Sequence, residues 1–210
     1  MVLPPRMLPL LFLVSCTLTL ANANNQQLIY LSLGWFWTGE QALECAQPPL
    51  KSIDTLGQNQ CPGPSCCDSS NHSVSDKTCA PQSTVVGFMG GRGEYPSYET
   101  NYTTLKYSET IRLIYNSSQL NMTQIMEAYW KYAPDPTFQP STFDTAYNLQ
   151  IFTTTANQYA IASHSIAAKA KEMNETIYVA LRNASEYTFW KAKEEQQQFN
   201  YKEGARCQAL

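Results

Sequence analysis

The chain has 210 residues, of which 43% are hydrophobic and 15% are charged. This composition excludes a disordered protein and allows one domain with a sizeable core. The formal net charge of -3 comes from 14 basic and 17 acidic side chains scattered along the chain. Because the sequence has no basic stripe or polybasic cluster, we expect neither nucleic acid nor a membrane surface as a partner.

The first 23 residues have the pattern of a secretory signal peptide. Arg6 provides a positive charge, residues 8–20 are largely apolar, and the A-N-A sequence at residues 21–23 is typical of a cleavage site. The apolar run is shorter than the roughly 20 residues that span a bilayer, so an uncleaved anchor is the less favoured alternative. The sequence therefore predicts a single domain, residues 24–210, that is secreted or held in the lumen of the secretory pathway.

Sequons and cysteines agree with a secretory location. N-x-S/T sequons, each a potential N-glycosylation site, occur at six asparagines: Asn71, Asn101, Asn116, Asn121, Asn174 and Asn183. Removal of the signal peptide also leaves an even number of cysteines: Cys45, Cys61, Cys66, Cys67, Cys79 and Cys207. In an oxidising compartment we expect these six cysteines to form up to three disulfides.

A cysteine-rich insert interrupts the domain at residues 47–83. This stretch is rich in Pro, Ser, Asn, Gly and Asp and has neither helical nor strand periodicity, which favours a surface loop held by disulfides. Zinc is the alternative, but the cysteines lack paired C-x-x-C spacing and His72 lies inside a sequon. We therefore expect no metal site.

Strand and helix patterns alternate along the rest of the chain. Apolar runs bounded by turn residues predict five strands: Gln27–Leu33, Ser83–Phe88, Thr110–Tyr115, Leu149–Thr153 and Thr176–Leu181. Helical periodicity and capping residues predict four helices: one from Thr38, one from the N-cap Asn121 through Lys131, Ala156–Glu172 and Glu186–Gln198. This order favours an α/β two-layer sandwich.

The junction between the first strand and the first helix is the strongest candidate for a functional site. The strand pattern stops at Gly34, the aromatics Trp35, Phe36 and Trp37 follow, and the helical pattern begins at Thr38. The first N–H groups of a helix have no helical partners, so a thiolate or an oxyanion placed there is stabilised. The alternative is that the three aromatics only close a hydrophobic core.

Short motifs in a fixed order resemble one known family. They are Gly34-Trp35-Phe36-Trp37, Val86 to Gly91, Pro96 to Glu99, Tyr107-Ser108-Glu109, Tyr129-Trp130, Asp135-Pro136-Thr137, Tyr147 to Phe152, Phe189 to Ala192 and Gln196 to Phe199. In that order they resemble the motifs G-C-F-W, V-G-Y-x-G-G, P-T-Y-E, H-A-E, F-W, D-P-T, Y-R-S-A-I-F, F-Y-x-A and H-Q-x-Y of the A-type peptide methionine-S-sulfoxide reductases. Because the motifs stay in register over nearly all of the mature chain, the resemblance implies that family's ferredoxin-like reductase fold. It also implies that the first and third strands, Gln27–Leu33 and Thr110–Tyr115, belong to one central mixed sheet.

The resemblance also implies a chemistry and its partners. In this family a cysteine thiolate attacks the sulfur of a methionine sulfoxide in a peptide or protein, while an acid and two tyrosines bind and protonate the oxygen. The sulfenic acid that forms is resolved by a second thiol and then by thioredoxin, without a metal or prosthetic cofactor.

The family's site residues map onto this chain with one major departure. Phe36 and Trp37 match the aromatic substrate pocket, Tyr98 and Tyr147 the oxygen-binding tyrosines, Glu109 the proton donor and Cys207 a recycling thiol. Trp35 stands at the position of the nucleophilic cysteine, and an indole cannot form a thiolate. Another acidic residue of the family falls on Thr142 or, after a two-residue shift, on Asp144, so its role stays unassigned.

Three interpretations remain open at this point. The first is a secreted, catalytically impaired relative that keeps a methionine sulfoxide pocket, whose floor either holds the Trp35 side chain or is left without any thiol. The second is an active reductase that uses another cysteine, although Cys45 lies about 15 Å away along a helix. The third is a disulfide-bonded structural glycoprotein, in which Cys207 pairs with a cysteine of the insert.

Overall fold

The described structure covers most of the predicted domain outside the insert. A computed structural model describes residues 25–46, 83–93, 96, 105–118, 120–141 and 145–204. The predicted signal peptide, nearly all of the insert and the tail with Cys207 lie outside these residues. Tyr98, Thr142 and Asp144 lie outside them as well. Among the six cysteines of the predicted domain, the structure describes only the backbone of Cys45, so the predicted disulfides also lie outside the described residues.

Six strands form one mixed sheet in the order β5-β4-β1-β3-β2-β6. The strands are β1 Gln26–Ser32, β2 Ser83–Met89, β3 Ser108–Asn116, β4 Gln150–Thr153, β5 Ala180–Asn183 and β6 Trp190–Lys191. Neighbouring strands are antiparallel except β4 and β5, which are parallel. β1 pairs with β3 from Gln26↔Asn116 to Leu31↔Ile111. The predicted mixed sheet, with the first and third strands together, is confirmed.

The described residues contain four α-helices: α1 Phe36–Ala46, α2 Met122–Tyr132, α3 Ala156–Met173 and α4 Phe199–Lys202. The predicted N-cap of α2 is confirmed, because the Asn121 side chain accepts a hydrogen bond from the Gln124 N–H in a capping box. Thr155 caps α3 in the same way. α1 begins at Phe36, two residues before the predicted start at Thr38.

Helices α1, α2 and α3 pack on one face of the sheet and bury the main core. This core includes Ile29, Leu31, Val86, Phe88, Ile111, Leu113 and Ile151 from the strands with Phe36, Leu43, Met122, Ile125, Met126, Tyr129 and Ala162 from the helices. Each such side chain contributes about 1.5–3 kcal/mol when it is fully buried. The opposite face has a smaller cluster of Met89, Phe152 and Ala184, against which Tyr30, Tyr187 and Phe189 pack. The α/β two-layer prediction is confirmed.

The last quarter of the chain differs from the sequence prediction. The fifth strand is Ala180–Asn183 instead of Thr176–Leu181, and it pairs in parallel with β4. The predicted helix Glu186–Gln198 is wrong. In its place are 3₁₀ turns at Ala184–Glu186 and Glu194–Gln196, the short strand β6, and then α4.

The amide side chain of Gln197 explains why no long helix forms there. Its Oε1 accepts from the Val86 N–H at 2.9 Å, and its Nε2 donates to the Val86 carbonyl at 2.9 Å. The Ala192 N–H donates to the same carbonyl at 3.0 Å, and Gln198 has a positive φ of 53°. These bonds hold the segment in an extended path along β2, and this path wins over the local helical pattern.

The chain direction defines a site end of the sheet. β1 runs towards Gly34, whereas β3 and β4 start beside the carboxyl end of β1 and run away from it. α2 runs back to this end, where Pro134 adjoins Gly34. Among the described residues, no helix is long and apolar enough to cross a membrane.

Candidate functional site

The turn between β1 and α1 depends on a glycine. Gly34 has a φ of +79°, in the left-handed region that L side chains rarely adopt. A Cβ at this position would also lie 3.4 Å from Cγ of Pro134. The turn therefore ends β1 abruptly and places Trp35 immediately before the first helical residue, Phe36.

A buried carboxylate caps the N-terminus of α1. The Phe36 N–H donates to Oε2 of Glu109 at 3.0 Å, and the Glu109 side chain reaches it from β3. Glu109 is only 4% exposed. A negative charge is favoured at this position because the first N–H groups of the helix are unpaired and carry the positive end of the dipole.

Tyr147 is joined to the same place through the backbone of Glu109. The Glu109 N–H donates to the Ala146 carbonyl at 2.8 Å, and this bond brings the next residue, Tyr147, beside α1. The rings of Trp35 and Tyr147 lie 6.1 Å apart, centroid to centroid, with a tilt of 58°. Two aromatic rings thus adjoin a buried acid.

The position of Trp35 corrects one expectation. One of the two alternatives placed its indole at the floor of a pocket, but 59% of Trp35 is exposed, and 41% of Tyr147 is exposed. The indole points outward because the helix begins at the next residue, and Phe36 instead of Trp35 enters the core. Trp35 and Tyr147 therefore form an outer aromatic pair above the buried end of the helix.

The other two matched aromatics face away from this pair. Phe36 is 1% exposed and packs against Phe88 with ring centroids 5.8 Å apart. Trp37 stacks on Phe199 at 4.1 Å with an interplanar angle of 16°. The structure thus brings Trp35, Glu109, Tyr147 and the Phe36 backbone together, while Trp37 packs on the C-terminal segment.

A hydrogen-bond network fixes the two segments that carry Glu109 and Tyr147. Ser108 donates through its hydroxyl to the Thr145 carbonyl at 2.7 Å, and the Thr145 hydroxyl donates to the Tyr107 carbonyl at 2.9 Å. Gln150 Nε2 donates to Ser108 Oγ at 2.6 Å. All three polar side chains are buried, so their bonds hold the site rigidly.

Tyr107 stands where the resemblance expects a histidine, and its hydroxyl links two parts of the fold. It is buried, its hydroxyl accepts a hydrogen bond from Trp190 Nε1 at 3.0 Å, and it donates to the Gly93 carbonyl at 3.2 Å. The phenol therefore ties β6 to the loop after β2.

Tyr129 supports the end of β1 from below. Its hydroxyl donates to the Ser32 carbonyl at 3.2 Å, and complete burial raises the pKa of Tyr129 strongly. The phenol stays neutral at any physiological pH, so it can only position the strand that leads into Gly34.

In the nearby loop, hydrogen bonds from the Thr137 backbone and hydroxyl lower the pKa of Asp135.

A second buried carboxylate, which sequence reasoning missed, lies one turn further along α1. Glu40 is 1% exposed; its Oε2 accepts from the Gln198 N–H at 3.0 Å, and its Oε1 accepts from Gln198 Nε2 at 2.9 Å. Thr84 Oγ1 also donates to Oε1 at 3.3 Å. The signal available in the sequence was the i, i+4 spacing from Phe36, which puts Glu40 on the buried face of the helix.

A groove of about 440 Å³ between α2 and α3 lies away from this site. It is lined by Thr123, Met126, Ala160, Ile161, His164, Ser165 and Ala168, none of which is a candidate site residue. Within the described ranges, no group of three or more His, Cys, Asp or Glu side chains could hold a metal ion.

A family model for the peptide methionine sulfoxide reductases matches residues 70–209, two thirds of the chain. The chain belongs to this family. The match begins after α1, so the turn at Gly34 and Trp35 lies outside it. Reductases of this family need no prosthetic cofactor and take electrons from a thiol reductant.

Curated members of the reductase family are similar over part of the chain. The peptide methionine sulfoxide reductase MsrA of Methanoculleus marisnigri is 32% identical over 138 residues, which cover 60% of this chain and 80% of the relative. The MsrA of Xylella fastidiosa is 29% identical over 124 residues, which cover 56% of this chain and 57% of the relative. The chain therefore spans little more than half the length of the Xylella reductase.

Solved reductases share the fold. Mxr1 from Saccharomyces cerevisiae in its reduced form superposes with a TM-score of 0.60 at 15% identity, covering 87% of this chain and 89% of that one. Methionine sulfoxide reductase A of Corynebacterium diphtheriae gives a TM-score of 0.55 at 21% identity, covering 86% and 76%. At these identities the likeness concerns the α/β fold with its mixed sheet.

Proposed function

We propose that this family member is a secreted protein that binds methionine sulfoxide side chains but does not reduce them. The observation that carries the proposal is the identity and exposure of Trp35. This residue precedes the first residue of α1, where the resemblance expects the attacking cysteine, and its outward indole offers no thiol.

Sulfoxide reduction requires a sulfur nucleophile that this position lacks. A thiol attacks the sulfoxide sulfur and takes over its oxygen, which yields methionine and a sulfenic acid. A dithiol then reduces the sulfenic acid to a thiol and water and becomes a disulfide itself. Proton donation by Glu109 could assist the first step, but it cannot replace the two electrons that the thiol supplies.

The geometry of α1 argues against Cys45 as a substitute nucleophile. The helix runs without interruption from Phe36 to Ala46, so the backbone of Cys45 lies about 14 Å along the axis from the start of α1. A reacting sulfur must approach within about 3–3.5 Å of its target. The active-enzyme alternative would therefore have to use Cys207 or a cysteine of the insert, with a thioredoxin-like reductant.

The outer aromatic pair supports a binding role. The tilted rings of Trp35 and Tyr147 offer apolar surface to an S-methyl group. Glu109, held at the helix N-terminus by the Phe36 N–H, lies next to both residues in the backbone network and can donate to a sulfoxide oxygen when it is protonated.

The start of the fold is compatible with a cleaved signal peptide. β1 begins at Gln26, three residues after the predicted cleavage position at residue 23. Removal of the leader would therefore leave every strand of the sheet complete.

Thiol-dependent turnover of a methionine-S-sulfoxide peptide tests the missing nucleophile. With dithiothreitol as reductant, we expect no turnover by the wild-type chain and measurable turnover by Trp35→Cys. The double variant Trp35→Cys/Glu109→Gln should lose most of that gain. Robust wild-type turnover that disappears in Cys207→Ser or Cys45→Ser would establish the active-reductase alternative instead.

Calorimetric titration with the same peptide tests the binding role. We expect saturable binding that weakens at least tenfold in Trp35→Ala and in Tyr147→Ala. Tyr159→Ala is the matched control, because Tyr159 is a similarly exposed aromatic on α3, with 48% of its surface accessible. An absence of binding at millimolar peptide would favour the structural glycoprotein.

A further inference from the structure

Three sequon asparagines, which we call the distal sequons, lie where the chain has run away from the site. Asn116 and Asn121 lie at the far end of β1 and β3, and Asn183 lies level with the middle of β1. β3 starts beside the site with Ser108 and Glu109 and ends at Asn116, which pairs with Gln26 at the beginning of β1. The seven residues from Glu109 to Asn116 correspond to roughly 23 Å of strand. Asn116 is therefore well separated from the outer aromatic pair.

Asn121 lies at the same distal end as Asn116. The Leu120 N–H donates to the Asn116 carbonyl at 2.9 Å, and Asn121 then caps α2. α2 runs from this cap towards Pro134, which adjoins Gly34. The length of the helix, about 18 Å, separates Asn121 from the site.

Asn183 ends the edge strand β5. This strand starts at Ala180 beside Gln150, the partner of Ser32, and runs parallel to β4 away from the site. The Asn183 side chain is exposed. β5 and β4 thus finish together at Asn183 and Thr153. Thr153 pairs with Ile29, so Asn183 lies level with the middle of β1, roughly 10 Å of strand from the site end.

The amide groups of these three asparagines are arranged alike. The Oδ1 atom of each accepts from the backbone inside or next to its sequon: from Ser118 N at 3.0 Å, Gln124 N at 3.0 Å and Ser185 N at 3.1 Å for Asn116, Asn121 and Asn183 respectively. None of the three Nδ2 atoms donates to another group in the described part of the chain. An oligosaccharide on Nδ2 would leave every Oδ1 bond intact.

The hydroxyl residues that complete these sequons are also accessible. Ser118, Thr123 and Ser185 are all exposed, as are Asn121 and Asn183, while Asn116 is half-buried. A linked sugar at any of the three positions therefore meets solvent instead of the core. The surface position fits modification in each case.

We propose that Asn116, Asn121 and Asn183 carry N-linked oligosaccharides, two at the far end of the sheet and one at the end of its edge strand β5. Each Nδ2 loses a proton and bonds to the anomeric carbon of a pyrophosphate-activated oligosaccharide, whose pyrophosphate leaves. The inference rests on the proposed passage through the secretory pathway. It adds modified positions that lie away from the candidate ligand site.

The fourth described sequon provides a contrast. Asn174 is the exposed, left-handed C-cap of α3, and α3 starts after β4 and runs back towards the site end. Asn71 and Asn101 lie outside the described residues. The proposal concerns only the distal three positions, and occupancy at Asn174 alone would contradict it.

Occupancy can be measured independently of the natural leader. The domain is secreted from eukaryotic cells behind a well-characterised heterologous signal sequence, and a peptide N-glycosidase then releases glycans in heavy-oxygen water. Mass spectrometry should find ¹⁸O-labelled aspartate at the distal sequons. Unmodified asparagine at all three positions in protein from the medium would overturn the proposal.

Variants that change only the third sequon residue separate modification from folding. Ser118→Ala, Thr123→Ala and Ser185→Ala each keep the asparagine and its backbone bond, and each should remove the mass of one glycan. The conservative Ser118→Thr, Thr123→Ser and Ser185→Thr should restore it. Alanine variants that all retain the full glycan mass would contradict the assignment.

A parallel expression with the native leader keeps the two proposals distinguishable. Failure of secretion with residues 1–23, together with labelled distal sequons behind the heterologous leader, would refute the secreted location and leave the modification sites standing. Secretion with the native leader, together with unlabelled distal sequons, would support the secreted location and refute the modification sites.

Discussion

Two buried glutamates lie against α1, and they differ in what surrounds them. Glu109 accepts from the Phe36 N–H and adjoins two exposed aromatic residues. Glu40 accepts from the Gln198 N–H and lies under the C-terminal segment, residues 197–200, with Thr84 as a further donor. Both carboxylates replace lost water with backbone and side-chain donors.

The two glutamates differ in whether a packed segment of the chain covers them in the described structure. The C-terminal segment closes over Glu40, because Phe199 stacks on Trp37 and Asn200 donates to the Trp37 carbonyl at 3.1 Å. At the Glu109 end, the described side chains include Trp35 and Tyr147, which are 59% and 41% exposed. A ligand in solvent can therefore contact this outer aromatic pair.

The largest expected effect is on stability at the Glu40 end. Glu40→Ala removes a buried acceptor that receives hydrogen bonds from half-buried Gln198 and from buried Thr84, so we expect the free energy of unfolding to fall by about 3 kcal/mol. Denaturant unfolding measures the change. Glu127→Ala on the exposed face of α2 is the control, with an expected change below about 0.5 kcal/mol. Equal effects in both variants would show that the Glu40 network adds no stability.

The aromatic stack should contribute less than the carboxylate. Phe199→Ala removes the ring that covers Trp37, and we expect a loss of about 1.5 kcal/mol together with faster proteolysis near residues 197–204. Phe138→Ala is a suitable comparison because Phe138 is highly exposed. If proteolysis is unchanged, the C-terminal segment is held by its hydrogen bonds without help from the stack.

Glu109→Gln should lower the rate of sulfoxide reduction much more than it lowers the free energy of unfolding. The amide can still accept from the Phe36 N–H, so the lost charge at the helix terminus should cost only about 1 kcal/mol. In the Trp35→Cys background the rate should fall at least about 100-fold, since a proton donor is lost. Glu40→Gln in the same background should leave the rate per folded molecule unchanged, and an equal loss in both would remove the distinction between the two glutamates.

The smallest expected effect is at Trp35. Because the indole is mostly in solvent, Trp35→Ala should change the free energy of unfolding by no more than about 0.5 kcal/mol. Trp37→Ala, which opens the contact with Phe199, should cost clearly more. A large destabilisation by Trp35→Ala would mean that this residue serves the fold instead of the ligand.

The sequence correctly predicted the strands and helices whose formation depends on interactions between residues close together in the chain. β1 and β3 are apolar runs bounded by turn residues, and α2 has both an N-cap at Asn121 and a following proline at Pro134. These features act within a few residues, so the sequence alone carries them. The path after Asn183 could not be predicted in this way, because distant Val86 provides the partners of Gln197.

In the candidate site, too, the sequence predicted the local features but not those that depend on distant contacts. The special turn at Gly34 and the N-terminus of α1 were visible as a break between two periodicities. The contact between Glu109 and the Phe36 N–H joins residues 73 positions apart, and only the family resemblance pointed to it. Nothing in the local pattern indicated that the Trp35 side chain would point outward or that Glu40 would receive the C-terminal segment.

The two-pronged contact of Gln197 with Val86 also has a consequence for association. β6 pairs with only Gly87 and Phe88, which would leave the neighbouring part of β2 as an open sheet edge. Open edges recruit strands from other molecules and promote aggregation. By engaging both the N–H and the carbonyl of Val86, the Gln197 amide occupies the positions that an incoming strand would need, and it keeps this edge closed to other chains.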